Sequence, residues 1–168
     1  MITPTYCVTM ARYNAWQNRE VARAMETLTD AELTRDRGAF FGSILATCNH
    51  LLWGDRLWMS RFDGGEGPGD CAPRGLDLTP TAAVWYAERF RTDGRILLWA
   101  EQLRAIDLTG DLKWVSGALG RPAQKSMGLV ITHMFNHQIH HRGQIHAMLT
   151  AAGAKTADTD LILMSDQD

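Results

Sequence analysis

Five of the six histidines of this 168-residue chain lie in one sixteen-residue stretch, residues 131–146. Four of them recur at steps of three or four residues: His133, His137, His140 and His141. On an α-helix this spacing places the side chains on one side, where two imidazoles one turn apart can chelate a divalent metal ion. The stretch therefore predicts a metal site on a helix.

The direction of the apolar side of this helix indicates which histidines are the ligands. That side is marked by Val130, Met134, Ile145, Met148 and Leu149. The pairs 133/137, 137/140 and 137/141 all have suitable spacing, and His137 belongs to each. At about 100° per residue His141 points into the middle of the apolar side, whereas His133 and His140 lie nearer its polar edge. We therefore favour the pair His137 and His141.

A third ligand has to come from another helix, because two imidazoles on one turn hold an ion loosely. His50 is the only histidine outside the stretch, and helix bundles build metal sites from side chains on facing helices. Three protein ligands leave positions open for water or substrate, as in catalytic sites. An ion there would acidify its water or hold a thiolate or carbonyl oxygen. The alternative is a helix whose histidines are only solvated or bonded to backbone carbonyls.

Asp55 is a second candidate for chemistry, because it lies on an apolar side of the helix that carries His50. It could orient a metal ligand from behind, or pair with an arginine inside the protein. Both interpretations stay open at this point. The chain contains no Gly-x-Gly-x-x-Gly, no phosphate loop and no Gly-x-Ser-x-Gly. It also lacks Glu-x-x-His and His-Glu-x-x-His, which argues against di-iron bundles and zincin proteases.

The elements that position these residues are four long amphipathic helices. Helical apolar spacing places them at about 8–28, 43–62, 80–106 and 126–152. In the first we expect Tyr13, Trp16, Val21, Ala24 and Leu28 to face inward, and in the third Val84, Phe90, Ile96, Leu97 and Leu103. Ser43 is a plausible N-cap of the second helix, and Pro80 is expected at the first position of the third.

The connections between these helices are long. Thr29–Glu32 is a capping box that opens a short helical turn, and 63–75 is a loop dense in Gly and Pro. Residues 107–126 are expected to form a short β-hairpin, and the apolar residues 161–164 to dock on the helices. Two of the three links are too long for a simple up-down hairpin. The sequence thus predicts one all-α domain over 1–168, a four-helix bundle with crossover connections.

The composition restricts the classes of function. A net charge of −2 offers no broad basic surface, which argues against nucleic-acid binding. No signal peptide and no membrane-spanning stretch are expected. Cys7, Cys48 and Cys71 are isolated and odd in number, so we expect free thiols and a cytoplasmic protein.

Three segments together resemble the DinB family, the DinB/YfiT-like metal-dependent proteins. They are Tyr13–Trp16, Asn49–Trp58 and Asn136–Gln144, and their order matches over nearly the whole chain. The resemblance implies a four-helix bundle with crossovers, commonly dimeric, in which three histidines hold a divalent metal. Matched position by position, those ligands are His50, His137 and His141, the same three that the spacing favours. Some relatives use a low-molecular-weight thiol, such as bacillithiol or mycothiol, as cosubstrate.

These observations lead to three functional hypotheses. The first is a metal-dependent enzyme of the thiol-transferase type that acts on small molecules. The second is a metal-dependent hydrolase, and the third is a metal-binding, stress-related dimeric bundle without catalysis. For the metal we favour Zn or Ni, with Fe or Mn as alternatives. A second apolar side on the 43–62 helix, with Ala46, Trp53 and Leu57, predicts a homodimer.

Overall fold

The structure, a computed structural model, describes residues 2–117 and 120–165. Its α-helices are α1 (Pro4–Met25), α2 (Asp30–Thr34), α3 (Ile44–Phe62), α4 (Ala82–Gln102) and α5 (Met127–Ala151). Two strands, β1 (Asp111–Ser116) and β2 (Arg121–Ser126), form an antiparallel hairpin directly before α5. Short 3-10 turns occur at Pro73–Gly75, Ala105–Leu108 and Leu161–Leu163. The predicted helical bundle and hairpin are confirmed.

Long helices that follow each other in the sequence are not always neighbours in the bundle. Helix α1 packs against α4 and α5, and α3 also packs against α4 and α5. Helices α1 and α3 are therefore diagonal to each other, as are α4 and α5. The α1–α3 and α4–α5 links must therefore cross the ends of the bundle, which confirms the crossover prediction.

Capping side chains determine where the helices begin. The Ser43 hydroxyl accepts a hydrogen bond from Ala46 N at 3.1 Å, so the predicted start of α3 is confirmed. Helix α1 begins earlier than predicted, because Thr3 caps it and Pro4 occupies its first turn. The prediction that Pro80 is the first residue of α4 is wrong. The next residue, Thr81, is the N-cap and α4 starts at Ala82.

A buried polar layer divides the apolar core into two halves. On each long helix the polar residues of this layer lie between apolar residues of the two halves. The polar layer consists of Asn14, Asn18, Asp55, Arg89, Asp93, Gln138 and Arg142. Two of these side chains are formally negative and two positive, so the layer as a whole is neutral.

The polar layer explains why the inward side of α4 was predicted wrongly at two of its five positions. Val84 and Phe90 are 42% and 67% exposed, although their apolar character suggested burial. Arg89 is buried instead, with ion pairs of 2.6 Å to Asp55 and 2.8 Å to Asp93. Because a sequence pattern assigns charged residues to the surface, the burial of Arg89 could not be inferred from the apolar spacing.

The C-terminal segment contacts the bundle through its backbone. The Tyr13 hydroxyl donates to the Thr159 carbonyl at 2.7 Å, and an Arg12 nitrogen donates to the Ser165 carbonyl at 3.2 Å. The predicted docking through the apolar side chains of 161–164 is wrong for 161–163, which are 41–91% exposed. Over the described ranges, no helix combines the length and apolar character needed to cross a membrane.

We expect Arg89→Met to destabilise the protein by about 3–5 kcal/mol, because it leaves Asp55 and Asp93 buried without a cation. Arg91→Met is the matched control on the same helix. Arg91 is exposed and, within the part of the chain that the structure describes, pairs only with Glu88, so its loss should change stability by no more than about 0.5 kcal/mol. Urea unfolding of both variants measures the difference. Equal stabilities would contradict the assignment of the polar layer.

Candidate metal centre

His50 is held in one tautomer by a strained loop. Its Nδ1 lies 2.8 Å from the carbonyl oxygen of Arg74. Because a carbonyl only accepts hydrogen bonds, Nδ1 carries the proton and Nε2 presents a lone pair. Arg74 has a φ of +67°, which is unfavourable for a residue with a side chain. The loop therefore holds its carbonyl in an unusual position that faces His50.

Contacts from α3 fix this loop. The side chain of Asn49, next to His50, donates to the carbonyls of Leu76 and Thr79 at 3.1 and 3.0 Å. It also accepts from the Thr79 backbone nitrogen and hydroxyl. Gly75 lies so close to α3 that an added Cβ would be 2.2 Å from the Trp53 side chain. Only glycine fits there, so the approach of the loop depends on this residue.

The other two histidines of the candidate site, His137 and His141, lie one helical turn apart on α5. His141 is 6% exposed and places Nδ1 2.7 Å from Gln144 Oε1, so its Nε2 is also free of a proton. His137 is partly buried, and its Nδ1 is enclosed without a hydrogen-bond partner among the described residues. An added Cβ at Gly54 of α3 would lie 3.0 Å from His137 Cε1, so Gly54 makes room for this ring.

The three rings converge. Nε2 of His50 lies 3.1 Å from Nε2 of His137, and one ring nitrogen from each of His50, His137 and His141 lies within 4.8 Å of the others. Two nitrogens bound to one tetrahedral ion at ~2.05 Å are about 3.3 Å apart. The separation of His50 and His137 is thus close to that of two ligands of one ion. The donor set fits a divalent metal, and the site could bind one.

The surroundings keep the three imidazoles neutral. Burial, followed by the neighbouring His141, His50, His133 and His140, lowers the pKa of His137 to about 3. Burial is also the largest cause that lowers the pKa values of His50 and His141. Metal coordination requires unprotonated rings, so the folded chain presents these side chains in the form that binds.

Aromatic side chains surround the histidine cluster. Phe41, from the turn before α3, lies 4.1 Å from the His50 ring and 5.3 Å from the His141 ring, measured between centroids. The ring of His133, which the helix-face argument did not favour as a ligand, lies 5.4 Å from that of Trp58, measured between centroids. His140 is exposed. The structure therefore brings together the three histidines that the sequence favoured, and His133 and His140 are not part of this cluster.

Asp55 has partners other than the histidines. One carboxylate oxygen binds Arg89 at 2.6 Å and the other accepts from Gln138 Nε2 at 2.9 Å. Of the two roles left open by the sequence, the structure supports that of an arginine partner inside the bundle. Its contribution to the metal centre is indirect, because the bond to Gln138 fixes α3 against α5 next to His137.

Several residues of the site were missed by sequence analysis. Gln144 could have been found, because it follows His141 by three residues on the same helix face. Gly54 could also have been found, one turn after His50. The Arg74 carbonyl and Phe41 could not, since their positions depend on loop conformations without a periodic sequence signal.

The fold and site define a helical-bundle protein with a three-histidine centre suited to a metal ion. The DinB family matches residues 1–168, and this chain belongs to that family. It is 24% identical over 153 residues to Protein DinB of Bacillus subtilis (strain 168), covering 88% of this chain and 87% of that protein. No solved structure matches significantly. The resemblance found from the sequence is thereby confirmed.

We expect Gly54→Ala to lower the affinity for Zn²⁺ about 10- to 100-fold, because the new methyl group displaces the His137 ring. Gly94→Ala is the control, since an added Cβ at this helical glycine meets nothing within 4 Å. Competition with a chromophoric chelator measures both affinities. Equal affinities for the two variants would show that the position of the His137 ring does not matter for binding.

The protein without metal should lose stability as the pH falls from 7.5 to 5.5. The folded-state pKa values of the three histidines are lowered from 6.5, so the unfolded chain binds more protons in this range and acid favours it. For His137 the loss continues towards pH 3. Urea unfolding in a chelating buffer tests this. His137→Asn should weaken the dependence, and stability that rises on acidification would refute the assignment.

Proposed function

We propose that this chain is a divalent-metal-dependent enzyme of the thiol-transferase type that acts on small molecules. The observation that carries the proposal is the convergence of His50, His137 and His141, each from a buried or half-buried position. Three imidazoles leave coordination positions open, and an ion held there supplies Lewis acidity that lowers the pKa of a thiol or water.

The residues of this chain hold and orient the site. The Arg74 carbonyl and the Gln144 amide oxygen fix the Nδ1 protons of His50 and His141, so that both Nε2 atoms face the centre. Phe41 covers one side of these two rings and excludes water there. The partly buried His137 and exposed His140 lie at the surface, and we propose that small molecules enter on this side.

The choice of a thiol rather than water rests on the acidic groups. In the described residues no carboxylate joins the histidine cluster, and Asp55 is engaged by Arg89 and Gln138. A hydrolase would need a base to take a proton from water, whereas a thiol ionises more easily. The thiol has to come from a cosubstrate, because burial raises the pKa of Cys7 to about 11 and also raises the pKa values of Cys48 and Cys71.

The reaction can be tested by turnover of an electrophile with bacillithiol, mycothiol or glutathione. We expect at least one thiol to react in the presence of Zn²⁺ or Ni²⁺, and His137→Ala to abolish the reaction. His133→Ala is the matched control, since it removes a histidine of the same helix that lies outside the cluster. Metal-dependent hydrolysis without a thiol would favour the second hypothesis. No turnover in either assay would favour the non-catalytic bundle.

We also propose that the protein is a homodimer, through a different surface from the one the sequence indicated. Trp53 on α3 is partly covered by the loop at Gly75, whereas α4 exposes Tyr86, Phe90 and Leu98 by 41%, 67% and 60%. An exposed apolar helix side of this kind favours association.

We expect Phe90→Glu to convert a dimer into a monomer in light scattering, because it puts a charge in the middle of this side. Phe40→Glu is the control. Phe40 is 72% exposed but lies before α3 rather than on α4, so this variant should stay dimeric. A wild-type monomer of about 19 kDa at micromolar concentration would refute the proposal.

A further inference from the structure

A cavity lies on the other side of α5 from the histidine cluster. It has a volume of about 250 Å³ and lies between α1, α5 and the chain at 156–160. Its apolar walls are formed by Val21, Ala24, Ile139 and Leu149. The hydrogen bond from the Tyr13 hydroxyl to the Thr159 carbonyl holds the C-terminal segment over it. The proposed thiol chemistry does not use this space.

Arg142 lines the cavity and is otherwise enclosed, with 5% of its surface exposed. Its Nε donates to Gln17 Oε1 at 2.8 Å, and its Nη1 donates to the side-chain oxygen of Asn14. Nη2 makes no hydrogen bond within the described part of the chain, and it is not among the fully enclosed atoms. Nη2 is therefore the guanidinium nitrogen left for a ligand, on a residue that lines the cavity.

Among the described residues, no carboxylate contacts Arg142 directly. Asp55 and Asp93, the acidic residues of the polar layer, are engaged by Arg89. Arg142 carries its positive charge at neutral pH, because the guanidinium group of arginine stays protonated in proteins. Its other partners are neutral amide oxygens. A buried cation of this kind gains strongly from a small anion that reaches its free edge.

Two acidic residues also line the cavity, Glu20 and Asp160. Glu20 pairs with Arg23 at 2.5 Å, so its charge is compensated. Asp160 is exposed, and its charge acts on Tyr13. A ligand that carries two or three negative charges is disfavoured by this carboxylate, so a single negative charge on the ligand is expected.

We propose that this cavity is a ligand site for a small organic monocarboxylate with a short aliphatic body. The carboxylate would accept from Arg142 Nη2, and the aliphatic part would pack against the walls at Val21 and Ile139. The site is separate from the histidine cluster, so it does not depend on the proposed enzymatic function.

The proposal can be tested by NMR titration of the full chain with isovalerate. The Nε–H of Arg142, buried and bonded to Gln17, is expected to give a slowly exchanging signal that reports directly on the site. We expect this signal to shift in a saturable manner with millimolar isovalerate. Leucine is titrated as a second carboxylate, and if it binds more tightly, the site takes the amino acid form of the same chemistry, with its ammonium group near Asp160.

A cavity-filling variant provides the decisive comparison. Gly143 lines the cavity, and an added Cβ there meets nothing within 4 Å, so Gly143→Leu should fold and block the ligand. We expect at least tenfold weaker isovalerate binding in this variant and unchanged binding in Gly94→Leu, the control on α4. Val21→Phe fills the same space from α1 and serves if Gly143→Leu does not fold.

Three outcomes would overturn the proposal. They are the absence of a saturable shift, isovalerate binding that persists in a folded cavity-filled variant, and equal shifts with inorganic phosphate. The last result would indicate a non-selective response to anions rather than a carboxylate site.

Discussion

The ion pair between Asp55 and Arg89 is the interaction on which the geometry of this bundle depends. It lies in the middle of the bundle, both partners are at most 2% exposed, and Arg89 also binds Asp93. Apolar side chains can slide past each other at small cost, but a buried charge that loses its partner costs about 3–5 kcal/mol. The polar layer therefore restricts the relative positions of the four long helices far more than the apolar halves on either side.

This restriction extends directly to the histidine centre. Gln138 donates to Asp55 and thereby fixes α5 against α3. His137 is the neighbour of Gln138, and His141 is the neighbour of Arg142, another member of the polar layer. On α3, His50 lies five residues before Asp55. The same contacts that align the helices therefore bring the rings of His50 and His137 to face each other, with their Nε2 atoms 3.1 Å apart.

The fold and the three histidines could be predicted because both follow from helical periodicity. His137 and His141 are one turn apart on an apolar side, and His50 was the only histidine left for a second helix. The burial of Arg89 on α4 could not be predicted in the same way. Periodicity treats Arg89 as a surface residue, and its burial depends on Asp55 and Asp93, which come from the facing helix and the next turn. The role of the loop at Arg74 and Gly75 could not be predicted either. It depends on the Arg74 carbonyl that contacts His50 and on the close packing of Gly75 against α3, and neither has a periodic sequence signal.

The central claim is that His50, His137 and His141 hold one divalent ion, and metal analysis of six alanine variants tests it most directly. Each variant replaces one histidine, and the protein is loaded with Zn²⁺ or Ni²⁺ and then freed of excess metal. We predict that His50→Ala, His137→Ala and His141→Ala lose most of the metal, whereas His133→Ala, His140→Ala and His146→Ala keep the wild-type content. Full retention of metal by folded His137→Ala would contradict the account, because the ring that faces His50 would then not be a ligand.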